Sequence, residues 1–284
     1  MAEFIYKNAR GDQLNLTDNE FFWLTHIDGQ TMAAAELSSV TNGLIDGDII
    51  NNARLQPRTI ITDFTIKNTV TVETAKRRIL EIIKPKQTGS LIWTQEGRTL
   101  EIMATVEGID MPRWEEKTVM QITFHCSTGT WQDVEDAVQK ISDIINLHYF
   151  MDDAKDMLYL PESGLPFGYY DIARTRTFNN AGDVAVGFIC EVVAMQEVNN
   201  PALYNEAGQF MKINTTLAEN DVLRIDTIRG EKSITKNGVN IINSLAGGST
   251  WLQIETGYNT FTIYSDDEGL NRMYFLIKYK QRYV

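Results

Sequence analysis

Short segments in which apolar and polar residues alternate run along most of the chain, and this period of two constrains the fold more than any other feature. β-Branched and aromatic residues dominate these segments, and Gly, Asn and Asp separate them. Representative segments are residues 64–72, 100–109, 118–126, 184–195 and 273–284. Because successive side chains of a strand point to opposite faces, such alternation with short polar connections is typical of antiparallel sheets. The sequence therefore predicts a mainly β protein.

Two segments depart from this pattern and carry apolar residues at helical spacing. The first helix is predicted at residues 73–84, and Pro85 ends it because the residue before a proline disfavours helical dihedral angles. The second helix is predicted at residues 131–148, where Thr130 and Asp133 suit a capping box. We therefore expect one or two helices among the strands.

A change of composition near the middle of the chain indicates two domains. Two prolines and several acidic residues make residues 151–168 similar to a linker, so we place the boundary near residue 150. Residues 1–150 are expected to form an N-terminal β domain that carries the helices, and residues 151–284 a C-terminal β-sandwich. One alternative stays open, in which the last strand, within residues 275–284, folds back onto the first domain.

The charge balance argues against nucleic acid and membrane as partners. The 284 residues include 26 basic and 38 acidic ones, which gives a formal net charge of -12. Phosphate-rich surfaces require clustered Lys and Arg. The basic run at residues 76–78 lies on the polar face of the first predicted helix, where it is either a solvated face or a local docking surface. The first residues lack the basic start and apolar run of a signal peptide, so we expect no secretion route of the chain's own.

Cysteine and histidine spacing predicts no metal site and no reactive thiol. Cys126 and Cys190 form no spaced pair, and a buried free thiol in a reducing cytoplasm is the favoured interpretation of each. His125 precedes Cys126, but adjacent residues of a strand point to opposite faces, so a thiolate dyad is not expected. The other histidines, His26 and His148, have no metal-ligand spacing.

The sequence contains no phosphate-binding loop and no nucleophile elbow. The acidic residues at 46–48 and 265–269 are interpreted as turns, because they lack the alternating ligands of a calcium loop. We therefore predict that the chain is not an enzyme and has no catalytic residue, no cofactor and no metal. A cell-wall hydrolase, in which folding brings two carboxylates together, is the weakest alternative.

Aromatic residues in the C-terminal half raise a second interpretation, a module that binds host cell-wall carbohydrate. Trp251 and Tyr258 are the candidate sugar-facing residues, and Tyr264 lies in the same region. A pyranose ring stacks on an exposed aromatic side chain, whereas alternating aromatics of a strand more often pack in a core. We favour core packing for each of them.

Longer stretches resemble a known family in the N-terminal half of the chain. An Asp-Gly turn at Asp46 and Gly47 is followed by an Arg-x-Ile strand that begins at Arg58. A short helix with a Lys-Pro exit, an arginine-led hairpin and a closing strand that ends in Cys126 come next. This order is similar to that of the distal tail proteins of siphophages and prophages, often called Dit. The family often has prolines after that cysteine, whereas residues 127–130 of this chain contain none.

The C-terminal half resembles the same family independently. The matching residues lie in two strands and two turns. They are Ile225, Asp226, Thr227, Asn237, Gly238, Ser249, Trp251, Gly257 and Asn259. The ending IKYKQRYV is similar to the aromatic and basic tail of the family. Each motif alone is weak, but their order along most of the chain is specific.

The resemblance implies a fold and a function. Such proteins pair an N-terminal β domain with a C-terminal sandwich of galectin or carbohydrate-module type. Their N-terminal domains form a hexameric ring at the distal end of a long non-contractile tail, where the ring joins the tail tube to the baseplate, the tail-fibre hub or the receptor-binding proteins. The resemblance therefore implies a structural protein of the virion tail, assembled in the host cytoplasm, with the tail tube protein and the hub as partners.

Overall fold

The computed structural model describes residues 2–41, 43, 46–111, 119–141, 174–267 and 272–284. The prediction of a mainly β chain in two domains is confirmed. Contacts divide the chain into unit 1, which is Met1–Glu135 with Arg282–Val284, and unit 2, which is Asp136–Gln281. The boundary predicted near residue 150 lies outside the described residues.

The described residues form short strands, a helix and a 3-10 turn, Ile242–Ser244. The elements of the first half are β1 (Glu3–Asn8), β2 (Gln13–Asn15), β3 (Phe22–Asp28), β4 (Ala35–Thr41), β5 (Asp48–Leu55), β6 (Arg58–Ile66), α1 (Val72–Ile82), β7 (Thr88–Gln95), β8 (Arg98–Asp110), β9 (Val119–Cys126), β10 (Trp131–Asp133) and β11 (Ala137–Ile141). Those of the second half are β12 (Thr175–Asn180), β13 (Ile189–Ala194), β14 (Val198–Asn199), β15 (Ala202–Asn205), β16 (Phe210–Lys212), β17 (Thr216–Leu217), β18 (Val222–Asp226), β19 (Ser233–Lys236), β20 (Val239–Asn240), β21 (Gly257–Tyr264), β22 (Met273–Tyr279) and β23 (Arg282–Tyr283).

Unit 1 is built on a nine-stranded antiparallel sheet. The order of neighbours is β2-β1-β7-β8-β9-β6-β3, while β10 pairs with β8 and β23 pairs with β10. The two ends of this order are linked by the Leu24 N–H in β3, which donates to the carbonyl oxygen of Thr17, just after β2, at 2.8 Å, and by an isolated bridge between Asp18 and Trp23. Alternation along β6 buries Ile60 and Phe64 on the inner face, where the Phe64 ring meets Phe22 edge-on at a centroid distance of 5.0 Å.

Helix α1 covers part of this core and lies where a helix is predicted. The Thr71 hydroxyl caps its first turn by accepting a hydrogen bond from the Thr74 N–H at 3.3 Å. Ile79 and Ile82 belong to the same buried cluster as the inner face of the sheet. The helix ends at Ile83, whose backbone is extended. Among the described residues, no helix has the length and apolar character needed to cross a membrane.

The prediction of a second helix at residues 131–148 is wrong for the part that the structure describes. Residues 131–133 form β10 and residues 137–141 form β11, while residues 142–148 lie outside the described residues. β10 pairs with β8 and with β23, and β11 pairs with β22, so both strands have a partner from the far end of the chain. Helical spacing is a local signal, and here distant strands provide the backbone hydrogen bonds instead.

Unit 2 is a sandwich of two antiparallel sheets around one core. The first sheet has the order β11-β22-β13-β18-β19-β20, and the second has the order β12-β21-β15-β16. Val192 and Phe275 of the first sheet and Leu203 and Phe261 of the second belong to one buried cluster. Two sheets that share their inner side chains in this way form a β-sandwich. A short pair, β14 with β17, lies outside both sheets.

The last residues of the chain leave unit 2 and complete unit 1. β22 stays in the sandwich, whereas β23 places Tyr283 opposite Trp131 of β10. The Tyr283 hydroxyl donates to Asp133 Oδ2 at 3.2 Å, and the Arg98 guanidinium lies 3.6 Å from the centroid of the Tyr283 ring. The chain end therefore forms part of the packing of unit 1.

Replacing Tyr283 with Ala is expected to lower the free energy of unfolding of unit 1 by about 1–2 kcal/mol, because it removes the stacked guanidinium contact and a hydrogen bond. Denaturant unfolding followed by tryptophan fluorescence measures this effect, since Trp93 and Trp131 pack together in unit 1. The matched control is Tyr258→Ala, because Tyr258 is 79% exposed and its loss is expected to change stability by less than about 0.5 kcal/mol. Equal effects of the two variants would contradict the packing role of the chain end.

Candidate assembly surface

A hairpin of unit 1, formed by β4 and β5 and here called the arm, stands apart from the nine-stranded sheet. Its strands pair only with each other among the described residues, and every residue of both strands is exposed. Leu37 is 56% exposed and Ile50 is 59% exposed. Apolar side chains are thus presented to solvent on an element that the rest of the described chain leaves uncovered.

The arm has one mainly apolar face, here called the apolar face, and one face of mixed polarity, here called the mixed face. Directly opposite residues share a face, so the pairs Leu37 with Ala53 and Ser39 with Ile50 lie on the same side. On the other side, Arg54 pairs with Glu36 at 2.6 Å. The remaining pairs of the apolar face are Ala35 with Leu55 and Thr41 with Asp48, and those of the mixed face are Ser38 with Asn52 and Val40 with Ile49. A bulge between Ser38 and Ser39 leaves Asn51 unpaired, which keeps Ile50 on the apolar face.

The arm is not expected to be stable in water by itself. An isolated two-stranded hairpin is marginal, and a contiguous exposed apolar patch marks a surface that another chain covers. Each strand of the arm also has an edge whose backbone groups face away from its partner, and a neighbouring strand can pair with such an edge. The arm is therefore suited to contact with a second protein.

Arg58 holds the root of the arm in place. Its side chain is only 5% exposed. Nη1 donates to the carbonyl oxygens of Gln30 at 3.1 Å and Thr31 at 2.7 Å, and Nε donates to that of Gly129 at 3.1 Å. Gln30 and Thr31 lead into β4, while Arg58 itself follows β5, so one guanidinium ties both ends of the arm to the 127–130 turn. Burial lowers the pKa of Arg58 from its ordinary value.

Two further contacts make the root rigid. The indole Nε1 of Trp131 donates to the Gln30 carbonyl oxygen at 3.2 Å. Gly129 packs so closely that an added Cβ would lie 2.6 Å from the Gln56 carbonyl oxygen and 3.1 Å from the Ala33 Cβ. A fixed root means that the exposed arm projects in a defined direction from its own domain, which favours a specific contact over an adaptable one.

The sequence motifs in unit 2 prove to be structural. Asn237 and Gly238 form the turn between β19 and β20 with φ of 49° and 82°, as a two-residue type I′ hairpin requires. The Asn237 side chain also accepts from the Val222 N–H at 2.9 Å and donates to Asp221 at 2.7 Å. Hydrogen bonds from Asn237 and Lys236 lower the pKa of Asp221 to about 2.

Thr227 and Asn259 of the same motifs also fix the backbone. The buried Thr227 hydroxyl accepts from the Phe188 N–H at 2.9 Å and donates to the Phe188 carbonyl oxygen at 3.1 Å. Asn259 donates to the carbonyl oxygens of Glu255 at 2.7 Å and Gly257 at 2.9 Å. These side chains form hydrogen bonds to the backbone of turns and of neighbouring segments, so the fold accounts for the motifs of this half.

The cysteines are buried and free, as predicted. Burial raises the pKa of Cys126 to about 12 and also raises that of Cys190. His125 is exposed on the opposite face of β9 from Cys126, so the two do not form a dyad. His26 is exposed in β3, and His148 lies outside the described residues.

The acidic and basic candidates have local partners. Asp48 accepts from the Thr41 hydroxyl at 2.8 Å inside the arm. In helix α1, Arg77 pairs with Glu73 and Arg78 with Glu81, as expected of a solvated face. Across the described parts of the chain, no group of three or more His, Cys, Asp or Glu is placed to hold a metal ion.

The two candidate sugar-facing aromatics lie in different surroundings. Trp251 is half-buried against the core of unit 2, with Lys232 Nζ 5.3 Å from its ring centroid. Tyr258 and Tyr264 lie in β21 and are 79% and 43% exposed, so the expectation of core packing is wrong for both. The structure therefore does not bring Trp251 and Tyr258 together as parts of one strand face.

Two family models match the chain in succession. The phage tail protein RIFT-related domain matches residues 9–126, and the C-terminal domain of the siphovirus-type tail component matches residues 181–283. The first range lies within unit 1 and the second covers most of the described part of unit 2. No curated protein matches the chain.

Solved phage structures share the fold. The Dit protein (gp 19.1) of phage SPP1, described as a paradigm of the hub adsorption apparatus in phages that infect Gram-positive bacteria, is 14% identical over 100% of both chains with a TM-score of 0.69. A chain of the phage P2 baseplate in its activated conformation with calcium is 13% identical over 98% of both chains, with a TM-score of 0.50. At these identities the similarity is one of fold.

Proposed function

The chain belongs to the distal tail protein family of siphophages, structural components of the phage tail rather than enzymes, and we propose that six copies form a ring at the distal end of a long non-contractile tail. In this role the ring joins the tail tube to the baseplate, the tail-fibre hub or the receptor-binding proteins. It is assembled in the host cytoplasm and leaves as part of the virion tail. The observation that carries the proposal is the arm, with its uncovered apolar face and its fixed root.

Ring formation requires a particular kind of interface. A closed ring of identical subunits uses a head-to-tail contact, in which one surface of a copy meets a different surface of the next and the rotation closes. The arm provides the first of these two surfaces, because it projects from its own domain and can reach the neighbouring copy. The second surface is then supplied by unit 1 of the next copy.

The arm also explains why such a chain gains stability from assembly. Burying Leu37 and Ile50 between copies removes exposed apolar area from water, which is worth up to about 1.5–3 kcal/mol for each fully buried side chain. In a ring every arm is covered, so no apolar face stays exposed. An open chain of copies would leave one arm uncovered at its end.

The mass of the purified chain in solution tests the proposal. One copy has a mass of 32.3 kDa, so a hexamer is expected at about 194 kDa. Size-exclusion chromatography with light scattering measures this mass, and negative-stain microscopy of the same peak is expected to show closed six-fold rings. A folded monomer at every concentration, or rings of another symmetry, would contradict the hexameric proposal.

A further inference from the structure

The outer surface of the four-stranded sheet of unit 2, here called the outer face, carries an ordered set of aromatic, hydroxyl and charged side chains. Inward residues of this sheet, such as Leu203 and Phe261, lie in the core, so the alternate residues point outward. From one end to the other, the outward residues are Tyr258, Asn179, Thr260, Thr177, Thr262, Thr175, Tyr204, Phe210, Tyr264, Ala202 and Lys212.

An aromatic corner occupies one end of the outer face. The rings of Tyr204 and Phe210 stack across neighbouring strands with centroids 5.5 Å apart and an interplanar angle of 28°. Tyr264 meets Tyr204 nearly at a right angle, at 84° and 6.2 Å, and is 43% exposed. Two perpendicular rings form the walls of a corner in which a flat apolar ligand surface can stack on one ring while its edge reaches the hydroxyl group of the other.

A fixed ion pair lies beside this corner. Lys212 Nζ donates to both carboxylate oxygens of Asp266, at 2.7 and 3.0 Å, and Asn200 Nδ2 donates to Asp266 Oδ2 at 2.8 Å. Ala202, which lies between the strands that carry Lys212 and Tyr264, is buried although it belongs to the outer face. Both charged side chains remain partly accessible, with side-chain exposures of 25% for Lys212 and 38% for Asp266. They offer a ligand one cationic donor and one anionic acceptor in fixed positions.

Hydroxyl groups extend from the corner along the sheet. Thr175 and Thr262 approach at 3.1 Å between their hydroxyl oxygens, and Thr177 and Thr260 at 2.9 Å. Tyr258 lies at the far end of this row. A strand rises about 3.3 Å per residue, so the row from Tyr258 to Tyr264 is about 20 Å long. That length suits a chain of several units better than a single small molecule.

We propose that the outer face binds a hydroxyl-rich carbohydrate chain, with a pyranose ring stacked in the corner formed by Tyr204 and Tyr264 and its hydroxyl groups bonded to Lys212 and Asp266. A sugar ring combines an apolar C–H surface with hydroxyl groups that both donate and accept hydrogen bonds. The outer face provides groups that match both properties. An aromatic surface lies beside one donor and one acceptor, and further hydroxyl groups follow along the sheet.

The chemistry of the outer face favours a glycan over a folded protein. A protein interface usually centres on a contiguous apolar patch with a polar rim. Here the aromatic surface is confined to one end, and threonine hydroxyls occupy the middle of the face. Hydrogen bonds from Lys212 and Asn200 lower the pKa of Asp266 from its ordinary value. This inference does not rest on ring formation.

A glycan microarray of hexopyranose and N-acetylhexosamine oligosaccharides, probed with the full chain, tests the proposal. Binding to a subset of the glycans is expected. Tyr204→Ala and Tyr264→Ala are each expected to weaken that binding on the order of tenfold, which corresponds to about 1.4 kcal/mol. Asp266→Asn is a second, milder variant that keeps the shape of the side chain while removing the charged acceptor.

The matched control is Tyr274→Ala. Tyr274 is a half-buried tyrosine of β22 in the other sheet, with Lys140 Nζ 5.1 Å from its ring centroid. This variant is expected to bind glycans like the original chain. Thermal midpoints of all variants show whether they are folded. Absence of glycan binding by the original chain would overturn the proposal, as would equal weakening by Tyr274→Ala or unchanged binding by folded Tyr204→Ala, Tyr264→Ala and Asp266→Asn.

Discussion

Replacing Arg58 with Met is expected to lower the free energy of unfolding of unit 1 by roughly 3–5 kcal/mol. The substitution removes a buried cation that donates to the carbonyl oxygens of Gln30, Thr31 and Gly129. Methionine fills similar space but donates no hydrogen bond, so the carbonyl groups of Thr31 and Gly129 lose this donor and that of Gln30 keeps the Trp131 indole. Denaturant unfolding followed by tryptophan fluorescence gives the change in free energy.

The matched control for Arg58 is Arg54, four residues earlier on the arm. Its side chain is 71% exposed and pairs with Glu36. Exposed ion pairs contribute little, so Arg54→Met is expected to change the free energy of unfolding by less than about 1 kcal/mol. A loss of similar size in the two variants would show that the root of the arm does not depend on the buried guanidinium.

Replacing Gly29 with Ala is expected to destabilise unit 1 by about 2–5 kcal/mol, for two additive reasons. Gly29 has a φ of 78°, and an L-residue in this left-handed region costs about 1–2 kcal/mol. In addition, a Cβ at this position would lie only 2.0 Å from the Thr59 carbonyl oxygen, so the backbone must shift, which costs about 1–3 kcal/mol. The shift would move the segment that delivers Gln30 and Thr31 to Arg58.

Gly11→Ala separates these two contributions. Gly11 also has a left-handed φ, 93°, but nothing lies within 4 Å of an added Cβ. Only the conformational cost of about 1–2 kcal/mol is therefore expected. The same unfolding measurement applies to both variants. If Gly11→Ala destabilises unit 1 as much as Gly29→Ala, the close approach to Thr59 is not what requires glycine.

Local patterns in the sequence predict much of the fold. The alternation in β6 and β9 matches their burial, because the inner residues of both strands lie in one core. The apolar stripe of α1, ended before Pro85, gives a helix within a few residues of the predicted bounds. Each of these signals depends on neighbours in sequence, and no distant partner is needed to interpret it.

Structural features that depend on partners distant in sequence cannot be predicted from such local patterns. Residues 131–141 have valines at helical spacing, yet residues 131–133 and 137–141 pair as strands with residues near the end of the chain. The arm is also missed, because the bulge at Asn51 interrupts its alternation and its exposure is invisible in the sequence. Arg58 stands in a recognised motif, but its role comes from carbonyl groups of two separate loops.

The aromatic residues of the outer face are also brought together by contacts that local sequence patterns do not predict. The sequence places Trp251 and Tyr258 together as candidates, but strand pairing assembles Tyr204, Phe210 and Tyr264 instead. Cross-strand neighbours are set by register, and register between β15, β16 and β21 cannot be derived from composition. The location of this surface on the sandwich therefore requires the fold.

The most direct test of the ring proposal compares two neighbouring positions of the arm, Leu37→Asp and Ser38→Asp, by light scattering on a size-exclusion column. Both variants add one carboxylate to the same strand, but Leu37 lies on the apolar face and Ser38 on the mixed face. We expect Ser38→Asp to keep the mass of the original chain, about 194 kDa for six copies of 32.3 kDa, and Leu37→Asp to elute as a folded monomer. If both variants keep the assembled mass, or both lose it, the apolar face of the arm is not the surface that joins the copies.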